Sequence, residues 1–310
     1  MTTRRTFLKH CSTIAGGLTL GRAGYLWGTP HMMPTTANTL NVSTLATFVD
    51  PLPIPQIVRP SGTRAVPGSK STAPYYRFAA RPVEMQVHRD LKPTRFWSFG
   101  PSVPGPTMEM RSGEDVLVEW ANELPQQHFL PIDYRLHGAE KTNPQVRIVS
   151  HLHGARVPAS SDGFPEDWFA PGKSVVYHYP NQQDPAMLWY HDHAMGINRL
   201  NVYAGLFGVA ILRDKVEDDL NLPSGKYEVP LMIFDRLLTP EAQLYYPISD
   251  KPGAPWIPEL FGDAILVNGK LAPYLEVEPR KYRFRVLNAS NARFYHLSLS
   301  NGLPLHQIGT

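Results

Sequence analysis

The chain has 310 residues, 42% of them hydrophobic and 18% charged, which is enough apolar material for two domain cores and excludes a disordered chain. Thirty-one prolines and twenty-three glycines argue against long helices and for many short strands joined by turns. The formal net charge is only +3 and the basic residues are scattered, so nothing points to a nucleic-acid partner.

In chain order, the first element is "MTTRRTFLKHCSTIAGGLTLG", where Arg4 and Arg5 precede Phe7, Leu8 and a modestly apolar run. It resembles a twin-arginine export signal, assigned to residues 1–32, and this implies the Tat export machinery as a partner and a periplasmic or secreted location. The run is too short and too interrupted by glycine to span a membrane as a stable helix. The resemblance also implies export in the folded state, often with a cofactor already in place. The single cysteine, Cys11, lies inside the signal. Its cleavage would leave a mature chain without a thiol, and so without disulfides, zinc–thiolate sites or a cysteine nucleophile.

Residues 33–74, with "DPLPIPQIVRPSG" at their centre, read as an extended arm or linker lying over a domain. Strand signals begin at "YYRFAARPVEMQVHRD" and continue through "RFWSFGPSVPGPTMEMRSGEDVLVEWANELP", in which Val116, Val118 and Trp120 are read as alternating with polar positions. Further strands are expected in "RIVSHLHG", "SVVYHYP", "AMLWYHDH" and "YAGLFGVAILRD", with a helical turn around Gly196 to Val202. After the charged, turn-rich "RDKVEDDLNLPSGKYE", more strands follow in "VPLMIFDRLL", "DAILVNGK", "YLEVEPRKYRFRVLNAS" and "ARFYHLSLS". The pattern predicts an all-β sandwich protein with a domain boundary near residue 215, giving units over 75–215 and 216–310.

Two strand ends carry the chemistry. His151 and His153 flank Leu152, and His191 and His193 flank Asp192. Residues i and i+2 of a strand share a face, so each pair can aim both imidazoles at one point. One such pair is ordinary; two, about forty residues apart, predict a metal site. Four imidazoles without a thiolate suit copper or zinc, and copper binds nitrogen sites more tightly. Spacing alone does not choose between them.

"PGPTMEMRSGEDVLVEWANELP", "HLHGARVPASSDGFPEDWF", "LWYHDHAMGINRLNVYAGLFGVAIL" and "YRFRVLNASNARFYHLSLSNGLPLHQIGT", in this order, resemble the first half of a multicopper oxidase, with bacterial laccases of spore-coat type, bilirubin oxidase and phenoxazinone synthase as the nearest kinds. The resemblance implies tandem cupredoxin-like Greek-key β-sandwiches, the second incomplete. It implies that His151 ligates a type 2 copper and that His153, His191 and His193 ligate a type 3 pair, in the trinuclear centre that reduces dioxygen to water with electrons from a small reducing substrate. It also exposes a departure: the family's further His-x-His and His-Cys-His motifs, which complete the cluster and hold the type 1 copper, do not occur here. The expectation is the N-terminal part of a longer oxidase, inactive alone. The alternatives are a copper-sequestering protein, for which nine dispersed methionines give little support, and a non-catalytic cupredoxin-fold relative, against which the four histidines count.

Other residues have plainer readings. Asp162, in "SSDGFP", either relays protons to bound oxygen or stabilises an Asp-Gly turn. Asp192 should point away from the metal face into a structural hydrogen bond. Trp189 and Tyr190 read as core packing. His88, His128, His137 and His178 read as surface or cap residues, and His296 and His306 as structural. "PGKS" is not a phosphate loop, because Asp167 stands where the first glycine is needed.

Overall fold

The structure, a computed structural model, describes residues 39–249, 257 and 259–309. The expected export signal, with Cys11, lies outside the described residues, as does the start of the arm. Among the described residues, no helix is long and apolar enough to cross a membrane.

Ten strands build the first unit: β1 (Ile57–Val58), β2 (Gly62–Ala65), β3 (Thr72–Met85), β4 (Thr94–Ser98), β5 (Thr107–Arg111), β6 (Val116–Asn122), β7 (Ser150–His153), β8 (Ser174–Tyr179), β9 (Ala186–Asp192) and β10 (Phe207–Arg213). One sheet has the order β1-β5-β10-β9-β7; the other has the order β2-β3-β6-β8, with β4 on β3. Parallel pairs β1–β5, β5–β10 and β3–β6 among antiparallel neighbours make a Greek-key sandwich of cupredoxin type. Strand β6 is buried on both faces, so the alternation read at Val116, Val118 and Trp120 is not an inside–outside one. Trp120 packs against Phe78, Phe99 and Tyr190, and its indole N–H donates to the Tyr179 hydroxyl at 3.0 Å.

The helical turn forms as α1 (Asn198–Ala204), two residues later than expected, and stops at Gly205, whose φ of 119° suits glycine at a helix end. The stretch read as turn-rich contains a second short helix, α2 (Lys215–Asp219). Asp214 caps it by accepting from the Glu217 N–H at 2.7 Å, so the Asp-x-x-Glu spacing was a start signal. Beyond it, β11 (Glu228–Leu238), β12 (Leu244–Tyr245), β13 (Ala264–Val267), β14 (Lys270–Leu271) and β15 (Arg283–Asn288) form one sheet, with β11 joined to β12, β13 and β15. Asn268 and Gly269, both at positive φ, make the tight β13–β14 hairpin. The strand expected in "ARFYHLSLS" does not form: among the described residues, 292–300 join no sheet, and Phe294 is 88% exposed. Packing of Phe207 on Phe234 and of Tyr203 on Tyr246 carries the core from the sandwich into this sheet. The arm laces the two together. The N–H groups of Leu40 and Leu52 donate to Leu238 and Tyr274, and β1 then joins the sandwich beside β5.

Two histidines expected at the surface or in caps are built into this frame. His88 is fully buried, with Nε2 2.8 Å from the Ala46 carbonyl. His128 accepts from the Leu130 N–H at Nδ1 and sits against the Trp97 ring. Burial pushes the His128 imidazole down to about 4. Below about pH 6.5 the unfolded chain takes up a proton that the folded chain refuses until about pH 4, so stability is expected to fall across that window, by on the order of 2 kcal/mol from this residue. Urea midpoints between pH 7 and 4.5 check it: the wild type should lose more than His128→Phe, and parallel curves would contradict it.

Candidate metal centre

Pairing of β7 with β9 sets His151 opposite His191 and His153 opposite Trp189, while Leu152 and Tyr190 face each other across the buried side. The period of two therefore does what the sequence implied: it sends the histidines to one face and the apolar residues to the other. His193 lies just past the end of β9, held by its N–H donating to the Val149 carbonyl at 2.8 Å. The ring of His151 lies 5.4, 5.5 and 4.8 Å from those of His153, His191 and His193, centre to centre. Ring nitrogens of His151, His153 and His191 fall within 4.8 Å of one another. His193 stands outside that trio and stacks on His151. All four rings share one place, but the site is not an enclosed cavity, because His153 is exposed. A cavity of about 480 Å³, bordered by Ile54, Lys226 and Tyr282, shares no lining residue with it.

Hydrogen bonds decide which nitrogens are free. Nδ1 of His151 faces the Asp162 carbonyl at 2.5 Å, Nδ1 of His191 the Asp192 carbonyl at 2.8 Å, and Nδ1 of His193 the Gly163 carbonyl at 3.0 Å. A carbonyl only accepts, so each Nδ1 carries the proton and each Nε2 keeps its lone pair. His153 differs: its Nδ1 lies 3.2 Å from Nε2 of His191, and because that nitrogen keeps its lone pair, Nδ1–H of His153 donates to it and the two rings face one another. Burial drives the His191 imidazole down to about 3, and burial followed by the neighbouring imidazoles lowers His153. Both are therefore neutral near pH 7, which is the ligating form. An all-imidazole set with backbone acceptors behind it fits copper.

The loop after β7 supplies two of those acceptors. Gly163 has a φ of 75°, and a Cβ there would overlap the Ser150 carbonyl, so only glycine lets this loop lie against β7. Gly163→Ala is expected to cost roughly 1–3 kcal/mol and to weaken metal binding by displacing the acceptors of His151 and His193. Urea unfolding with a copper titration checks this, and unchanged values would contradict it.

Asp162 places its main chain, more than its side chain, at the site. The half-exposed carboxylate has Oδ1 3.4 Å from Nδ1 of His151. Asp192 is fully buried and points away from the cluster, accepting the Val149 and Ala194 N–H groups. Trp189 is not core, unlike Tyr190: partly exposed, it stacks on His191 at 4.0 Å and His153 at 5.2 Å, forming a wall of the site. His178 pairs with Asp115 at 2.7 Å, His137 with Glu140 at 3.4 Å, and His296 and His306 are exposed. The sequence reading missed Arg147, Asn201 and the link from Asn201 to His128, all behind the cluster.

Fold and site together define a cupredoxin-type β-sandwich with a histidine-built candidate metal centre. Residues 141–217, which hold all four histidines, match the family described as multicopper oxidase. The chain is 49% identical to a laccase of Bacillus subtilis (strain 168) over 86% of its own length and 54% of that protein's. It is 38% identical to a laccase of Haloferax volcanii over 96% of its own length and 50% of that protein's. A crystal structure of a multicopper oxidase from Pediococcus acidilactici superposes with a TM-score of 0.63 at 25% identity, over 78% of this chain and 45% of that one. The chain belongs to the multicopper oxidase (laccase) family. It spans about half the length of the curated relatives it matches.

Proposed function

We propose that this chain contributes half of the imidazole shell of a trinuclear copper centre, in an oxidase that couples one-electron oxidation of a phenolic, pigment or metal-ion substrate to reduction of dioxygen to water. The observation that carries the reading is the set of three backbone carbonyls that hold Nδ1–H of His151, His191 and His193, so that each of these rings keeps its lone pair on Nε2, in a cluster where ring nitrogens of His151, His153 and His191 lie within 4.8 Å of one another. Copper bound there supplies one-electron redox chemistry and a seat for dioxygen. In this assignment His151 serves one copper, and His153, His191 and His193 serve a pair. Asp162 stands at the solvent edge beside His151 and carries protons inward, as the reduction of dioxygen requires. The family resemblance implies further ligands and an electron-accepting copper beyond these four histidines. Residues 75–215, with β1 and β2 of the preceding arm paired onto them, make the first cupredoxin unit and 216–310 part of a second.

The test is a copper(II) titration of the purified chain followed by electron paramagnetic resonance. Nitrogen-ligated copper, lost in a His151→Ala/His193→Ala variant, is expected; the same stoichiometry and spectrum in both proteins would overturn the assignment.

Export by the twin-arginine route completes the reading. Replacing Arg4 and Arg5 by lysine is expected to retain the protein in the cytoplasm, as fractionation of cells would report; undiminished export contradicts it.

A further inference from the structure

Behind the metal face, a buried polar chain ties the two His-x-His segments to a distant histidine. Oδ1 of Asp192 accepts from the Val149 N–H at 3.0 Å, and Oδ2 accepts from the Ala194 N–H at 3.2 Å and from Nδ2 of Asn201 at 2.9 Å. One carboxylate thus joins the residue two before His151 to the residue after His193. The carbonyl of the same residue receives Nδ1–H of His191. Asp192 is therefore hydrogen-bonded to His191 itself and to the backbone within two residues of His151 and His193.

Asn201, on α1, holds that carboxylate. Its Nδ2 also donates to the Arg147 carbonyl at 3.0 Å, and its Oδ1 receives Nε2–H of His128 at 3.1 Å. The donor on His128 is fixed in turn, because Nδ1 accepts from the Leu130 N–H at 3.0 Å and the proton must sit on Nε2. The ring is flanked by Trp97 at 4.2 Å and Phe129 at 5.6 Å. Asp192 and Asn201 are both fully buried, so neither can exchange its partners for water. Only an amide can donate to a carboxylate and a carbonyl while accepting from an imidazole at the same position. The guanidinium of Arg147, which donates to the Pro144 and Met195 carbonyls, adds a buried positive charge that attracts Asp192.

We propose that Asn201, oriented by His128, is a positioning residue for the histidine cluster: it locks the Asp192 carboxylate that clamps the start of β7 to the end of β9, and so keeps the ligating nitrogens of the two pairs facing one another. This rests on the copper reading of the cluster.

The test uses the 310-residue chain, aqueous copper(II) as the probe, and four variants. Asn201→Leu keeps the volume and removes every polar contact. Asn201→Asp keeps the acceptor for His128 but sets an oxygen against Asp192. His128→Phe keeps the ring and loses the donor; His128→Gln loses the ring and keeps a donor. Both Asn201 variants should bind copper about 10- to 100-fold more weakly, the range for groups that orient metal ligands, with an altered copper hyperfine splitting. His128→Phe should shift both readouts in the same direction, and His128→Gln should return them toward wild type. Folded Asn201 variants with unchanged affinity and spectrum would overturn the proposal. Should those variants fail to fold by circular dichroism, the His128 pair decides: Phe and Gln behaving alike overturns it, and a difference in favour of Gln supports it. If wild-type copper binding survives His151→Ala/His193→Ala, the copper reading itself has failed and the positioning role falls with it.

Discussion

Loaded with copper, the chain is expected to show no intense blue absorption and no sustained oxygen uptake with a phenolic donor. A blue site requires a cysteine thiolate among its ligands, and the only cysteine of the sequence, Cys11, sits in the expected export signal, far in sequence from either histidine pair. Turnover needs a closed cluster and an entry for electrons. The described residues offer four imidazoles from β7 and from β9 and its end, with His153 open to solvent. Visible spectroscopy and an oxygen electrode check both halves. Oxygen uptake well above that of free copper would show that these four histidines suffice, or that a second chain completes them.

Glu228→Ala is expected to cost about 3 kcal/mol of stability. Glu228 joins Arg213 at 3.0 Å and Arg285 at 2.5 Å; Glu217 joins Arg283 at 2.5 Å and Arg285 at 2.6 Å; Arg213 also reaches Glu109 at 2.6 Å. The network pins β5, β10 and α2 to β11 and β15, and Glu228, Glu217 and Arg285 are almost wholly buried in it. Deleting one carboxylate strands guanidinium charge away from water, which costs far more than an exposed pair contributes. Burial works to raise the Glu228 pKa, but the hydrogen bonds from Arg213 and Arg285 outweigh it and hold the carboxyl below its ordinary 4.5. A depressed carboxyl contributes stability that is fully present above the unfolded value and is lost as pH falls through the folded one. The gap between wild type and Glu228→Ala in urea midpoint should therefore narrow below pH 4.5. A loss under 1 kcal/mol at pH 7, or a gap that persists to pH 3, would contradict this.

How much of this was legible follows from the range of each interaction. The two His-x-His pairs were readable because strand alternation is a local rule, and it put His151 and His153 on one face and Leu152 on the other without any knowledge of β9. Which strand lies beside β7 is a long-range fact, and it alone makes His151 a neighbour of His191. Helix α2 had its signal in Asp214 and Glu217 and was passed over because the stretch is too charged and short to show an apolar face. "ARFYHLSLS" alternates like a strand, yet among the described residues it joins no sheet, and a pattern alone does not make one. The Asn201–His128 bond joins residues 73 apart, and neither side chain carries a local sign that it will be buried beside the other.

The central claim is that the four imidazoles bind copper, three of them in the tautomers that their backbone partners dictate. Anomalous scattering at the copper edge, from crystals of the chain grown with copper(II), tests it most directly. The account predicts copper roughly 2 Å from Nε2 of His151, His191 and His193 and from Nδ1 of His153, with the Asp162, Asp192 and Gly163 carbonyls still accepting. Copper at Nδ1 of His151 or His193 with those hydrogen bonds broken, or scattering only at other histidines such as His137 and His306, would contradict it.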